Sequence, residues 1–173
     1  MPIATSSQTV GPFWGLIEDH AWADLLRFGA TGQTMTLLGR VTDGDGSPVT
    51  DAAIEIWQAA PPATEIFPAF GRAATDAQGE FRFRTLKPEP VPGLGNTQQA
   101  PHFAISILAR GLLKTLVTRA YFDGHPLNEN DPVLSLVDAP TRRATLLARH
   151  EGGEVWRMDI VLQGEGETVF LDV

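Results

Sequence analysis

The chain has 173 residues, 43% of them hydrophobic, which is enough apolar material for one domain with a sizeable core. A formal net charge of −8 argues against a phosphate backbone or an anionic membrane surface as partner, because both need clustered Lys and Arg. Zero cysteines exclude a disulfide framework and thiolate metal sites, and no apolar run reaches the roughly 18 residues of a spanning helix.

The start, Met-Pro-Ile-Ala-Thr-Ser-Ser, lacks the basic and apolar regions of a secretory signal, so a cytoplasmic protein is expected. Residues 1–33 have no clean hydrophobic period and are expected to form an N-terminal arm that packs on another surface. Thr34 to Asp43 reads as an apolar-rich strand, Asp43 to Pro48 as a turn, and Ala53 to Gln58 as a second, alternating strand. Asp76-Ala77-Gln78-Gly79 is a tight turn, and the strand after it puts Phe81 and Phe83 on one face. Pro88 to Pro101 is a long connection rich in Pro, Gly and Gln.

From Ala100 to Gly111 the chain alternates strictly. His102, Ala104, Ser106, Leu108 and Arg110 share one face, while Phe103, Ile105, Ile107 and Ala109 share the other. Further strands fit at 113–122, 155–163 and 167–172. One helix is expected from Pro140 through Ala148, stopping at Gly152-Gly153. Short strands separated by turn clusters indicate an all-β, antiparallel β-sandwich with one short helix, formed by a single domain over residues 1–173.

The chemistry is defined by scarcity. There is one tyrosine, Tyr121, and there are four histidines, His20, His102, His125 and His150. These show no His-x-His, no helical i,i+4 pair and no His-x-x-Glu-His spacing, so no independent metal site is indicated. No Gly-x-Ser-x-Gly supports a serine hydrolase. Gly164-Glu165-Gly166 lacks the lysine of a phosphate loop and carries carboxylate charge instead.

Several separated motifs, in order, resemble the intradiol ring-cleavage dioxygenases. They are Ser7-Gln8-Thr9-Val10-Gly11-Pro12-Phe13, Glu55-Ile56-Trp57-Gln58, the strand from His102, Thr118 to Gly124, and Gln163 to Asp172. The likeness covers nearly the whole chain. Within that family it points to the non-iron, alpha-type subunit of a heteromeric member, and it implies a prealbumin-related sandwich fold.

The resemblance implies ferric iron held by two Tyr phenolates and two His imidazoles, since a hard trivalent cation favours anionic oxygen donors. Position by position, the first His matches His102 and the second matches Ala104. One Tyr position matches Val91 in Lys87-Pro88-Glu89-Pro90-Val91-Pro92. The other falls in Ala60-Pro61-Pro62-Ala63, which has no Tyr. One ligand of four remains, so His102 marks a vestigial metal position, and Tyr121 is expected to be a structural phenol.

It follows from the resemblance that Fe(3+) belongs to a homologous beta subunit and that a higher hetero-oligomer forms. Thr9, Gly11, Pro12 and Arg110 are then expected to wall a substrate pocket shared with that partner, with no catalytic residue or metal ligand in this chain alone. The implied reaction inserts O2 into 3,4-dihydroxybenzoate to give 3-carboxy-cis,cis-muconate. Arg110 lies eight residues beyond His102, about 26 Å along a straight strand, so the two serve different sites. The competing reading is a prealbumin-like binding or structural module without a catalytic role.

Overall fold

The structure, a computed structural model, describes residues 8–11, 13–16 and 18–172. It is mostly β, with strands β1 (Thr34–Thr42), β2 (Ala53–Trp57), β3 (Phe70–Ala74), β4 (Glu80–Leu86), β5 (Val91–Pro92), β6 (Gln98–Gln99), β7 (His102–Leu108), β8 (Leu116–Phe122), β9 (Leu147–Gly152), β10 (Val155–Arg157) and β11 (Ile160–Val161). Among the described residues the only α-helix is α1 (Pro140–Ala144). No helix there is long and apolar enough to cross a membrane.

Nine strands make one curved sheet. β4 pairs with one edge of β1, while β10 and then β11 follow its other edge; from β10 the order continues through β9, β8, β7 and β2 to β3. A turn of five residues links β3 to β4, drawing the two ends of the sheet together so that it nearly closes. β5 and β6 form a separate two-stranded ribbon leading into β7.

Alternation decides which side chains face the interior. β1 buries Met35, Leu37, Gly39 and Val41, and β7 buries Phe103, Ile105 and Ile107. Phe81 and Phe83 both enter the core, with ring centroids 6.0 Å apart. Full burial of a Phe or Ile side chain contributes about 1.5–3 kcal/mol, so this layer is the main cohesive element. Gly39 is required by contact: a Cβ there would lie 2.1 Å from the Met158 carbonyl oxygen.

The fold departs from the sequence expectation in several places. Pairing is not antiparallel throughout, because β1 runs parallel to β10 and β11, and β8 runs parallel to β9. The helix ends at Ala144 instead of Ala148, and Leu147–Gly152 is a strand. Tyr121 N–H donates to Leu146 O and Asp123 N–H to Ala148 O, so the β8 ladder captures a segment whose local pattern allowed either state. Residues 167–172 form no strand; isolated bonds from Thr168 N to Val161 O and from Leu171 N to Val117 O fasten them between elements. The arm packs partly on its own chain, with Leu25 and Leu26 buried in the core and Leu25 N bonded to Arg84 O.

Candidate functional site

At the far end of β7 the chain turns through Arg110. Its side chain is 65% exposed, and Nε stands 3.0 Å from Asp51 Oδ2. The Thr9 hydroxyl donates to Ala109 O at 3.1 Å, next to Arg110, and the Trp14 indole N–H donates to Asp51 O at 2.9 Å. Asp51 therefore anchors the arm through its carbonyl and Arg110 through its carboxylate. Gly11, at φ +75°, turns the arm with a backbone conformation that favours glycine. Pro12 lies outside the described residues.

Beside this junction is a cavity of about 130 Å3 lined by Val10, Trp14, Glu18, Glu55, Arg72 and Leu108. Burial pushes the Glu18 carboxyl above its ordinary range, with Arg72 opposing the shift. Arg72 is itself paired with Glu55. A larger cleft, about 340 Å3, lies elsewhere, between Asp123, Arg149, Arg157 and Thr168, and contains none of the expected site residues.

His102 occupies the opposite end of β7. The register of His102 to Ile107 with β8 is unbroken, so no bulge shortens β7 over that span, and Arg110 lies in the turn beyond Leu108. The four positions matched to metal ligands gather here. Val91 pairs with Gln99, three residues before His102; Ala104 pairs with Trp57; and Ala60 O accepts from both Glu89 N and Gln58 Nε2. The sequence-predicted residues thus fall into two groups, Thr9, Gly11 and Arg110 at one end and His102 at the other.

The His102 surroundings are polar and filled. Nδ1–H donates to Ala100 O at 2.8 Å, and the ring stacks 5.3 Å from that of Tyr121. Desolvation lowers the His102 pKa, partly offset by the Ala100 bond, with Arg119 lowering it further. Tyr121 is fully buried; its O–H donates to Asp131 Oδ1 and its oxygen accepts from Arg119 Nη1, each at 3.1 Å. Desolvation holds the phenol protonated, well above its usual range. Asp131, also fully buried, accepts further bonds from the backbone N–H groups of Ala100, Val133 and Leu134.

A ferric ion does not fit these donors. One imidazole nitrogen remains, Ala104 and Val91 offer only hydrocarbon, and the one phenol is committed to Asp131 with a guanidinium against it. Among the described residues no group of three or more His, Asp or Glu side chains stands at metal-binding spacing.

The Dioxygenase family profile matches residues 18–164. The protocatechuate 3,4-dioxygenase alpha chain of Pseudomonas putida is 41% identical, over 97% of this chain and 96% of its own length. The chain belongs to the intradiol dioxygenase family. The beta chain of the Burkholderia cepacia protocatechuate 3,4-dioxygenase is 32% identical over 79% of this chain and 67% of its own. Among solved structures, the dioxygenase domain of a dioxygenase carbohydrate-binding protein fusion from Streptomyces sp. SirexAA-E superposes with a TM-score of 0.62 and 27% identity, covering 82% of this chain and 87% of that one.

Intradiol dioxygenases are iron oxidoreductases, and this member keeps the family's sheet with a donor-poor centre. Sequence reasoning did not find Asp51, Trp14, Gln99, Arg119 or Asp131. Arg119 was accessible to it, since it precedes Tyr121 by two residues and alternation puts both on the face carrying His102. The isolated Asp131, between short helical turns, gave no pattern to read.

Proposed function

We propose that this chain is the alpha, non-iron subunit of a cytoplasmic protocatechuate 3,4-dioxygenase, and that a homologous beta subunit holds Fe(3+). The single observation that carries this reading is the centre around His102: one imidazole of four ligand positions, with Arg119 supplying positive charge. The relatives named as alpha chains over nearly the full length support it. On the same reading, residues 1–173 are one β-sandwich domain of the family type, with residues 1–33 as its arm.

In the assembled enzyme, the partner's iron supplies the oxidative chemistry that opens 3,4-dihydroxybenzoate with O2 to 3-carboxy-cis,cis-muconate. This chain walls the shared pocket. Arg110 presents a permanently charged, planar donor set to the substrate carboxylate, and the Thr9–Gly11 turn brings backbone close to the ring. Positioning and water exclusion of this kind affect rate without contact to the metal. Phe13, 71% exposed, and Leu16, 82% exposed, give the arm an apolar surface suited to a partner chain.

Co-expression with a beta-type homologue tests the assignment. The expected outcome is a copurifying complex with one iron per alpha–beta pair and O2 uptake on 3,4-dihydroxybenzoate, whereas this chain alone is colourless and inactive. Stoichiometric iron in the isolated chain, or failure to associate, overturns it.

A further inference from the structure

The N-terminal arm crosses the sheet over the cavity of about 130 Å3. Val10, Trp14 and Glu18 line it from the arm, while Ala53 and Glu55 of β2, Arg72 of β3 and Leu108 of β7 line it from the sheet. The sheet side is set by register, because Glu55 pairs with Arg72 and Ala53 with Leu108 across neighbouring strands.

One polar atom in this lining is left over. Glu18 Oε1 is shielded from solvent and has no hydrogen-bond partner among the described residues. Arg72 directs both Nε, at 2.9 Å, and Nη2 to Glu55 Oε1, and among the described residues no cation lies within 4.0 Å of the Glu18 carboxylate. The charged groups that act on Glu18 are Asp19 and His20 from the arm, Glu55 from β2 and Arg72 from β3. Loss of water is the largest influence and raises the carboxyl pKa; Arg72 and His20 oppose it, while Asp19 and Glu55 reinforce it.

An ionised carboxylate oxygen enclosed without a donor is costly, whereas the neutral acid carries its own proton into the cavity. The seated arm therefore holds a proton that the free arm releases. We propose that Glu18 is a proton-operated latch: its neutral acid seats the arm over the cavity between β2, β3 and β7, and its carboxylate loosens the arm around Trp14. Because the folded pKa is the higher one, this fastening is complete below the ordinary value of 4.5 and is lost as pH rises through the folded value. The device belongs to the chain itself and holds whether or not Arg110 serves a shared pocket.

A titration of the full chain between about pH 4 and 8, followed by the Glu18 carboxyl carbon and the Trp14 indole N–H resonances, tests this. Both signals are expected to move with one midpoint above the ordinary glutamate value. Glu18→Gln keeps the shape and removes the charge, so at neutral pH it should hold the indole at its acid-end position and slow chymotryptic cleavage at Phe13 and Trp14 by about threefold or more. A Glu18 midpoint at or below the ordinary value overturns the latch, as does an indole that stays still while Glu18 titrates. So does an indole titration that persists unchanged in Glu18→Gln. The carboxyl carbon reads the native chain directly, so a misfolded variant would not spare the proposal.

Discussion

Arg110 and Trp14 meet the same residue: the guanidinium Nε lies 3.0 Å from the Asp51 carboxylate, and the indole N–H donates to the Asp51 carbonyl at 2.9 Å. An exposed ion pair of this sort contributes little to stability, about 0–1 kcal/mol. Its effect is orientational, since it holds the fork of Arg110 beside Thr9.

Arg110→Gln in the assembled complex is therefore expected to lower kcat/KM for 3,4-dihydroxybenzoate by about ten- to a hundredfold, the loss of one charge-assisted bond of about 1.5–3 kcal/mol. Iron content should not change. Steady-state O2 uptake with metal quantitation checks both, and unaltered kinetics reduce Arg110 to a surface ion pair.

Asp131 accepts from three backbone N–H groups and from Tyr121. Asp131→Ala leaves several buried donors without partners, at about 1–3 kcal/mol each, and should be among the most destabilising single changes in the chain. Tyr121→Phe deletes only the hydroxyl and should cost about 1–2 kcal/mol. Urea denaturation midpoints would rank the two, and the reverse order would contradict the network described.

A Cβ on Gly71 would meet Leu25 Cδ1 at 2.5 Å and the Trp22 carbonyl oxygen at 2.9 Å. Gly71→Ala is expected to cost about 1–3 kcal/mol and to loosen the arm, because the β3 backbone can no longer accept it so closely. Limited proteolysis should cut near residues 20–28 faster than in the native chain, while the sheet stays intact.

His102 is held neutral by burial, so its folded pKa lies below the ordinary imidazole value of 6.5. The unfolded chain then binds more protons as pH falls, and the stability from this group is complete above about pH 6.5 and is lost as pH drops through the lower folded value. His125 is shifted in the same direction, mainly by desolvation and then by Lys87. His102→Gln should therefore flatten, without abolishing, the fall in the urea midpoint between about pH 5 and 6.5. An unchanged slope in that window would count against a buried neutral His102.

Elements with strong local signals were legible in the sequence. β1 and β7 follow their alternation. The turns at Asp43 and Asp76 form as expected because each carboxylate accepts two backbone N–H groups, from Asp45 and Ser47 and from Gln78 and Glu80. β3 was not legible, since Phe70-Gly71-Arg72-Ala73-Ala74 carries little apolar pattern and becomes a strand by pairing with β2. β9 was misread as helix because Leu146, Leu147 and Ala148 suit either state, and only the β8 ladder decides. At the candidate site, the shortage of metal donors could be counted directly. The Arg119–Tyr121–Asp131 network could not, because it joins three segments that only the fold brings together.

The Asp51 junction has a thermal consequence. One residue carries both the latch of the N-terminal segment and the brace of Arg110, so warming that frees the indole would also let the guanidinium drift while the curved sheet still holds. Inactivation of the assembled enzyme would then run ahead of melting, with the two curves separated by the fastening strength of Trp14.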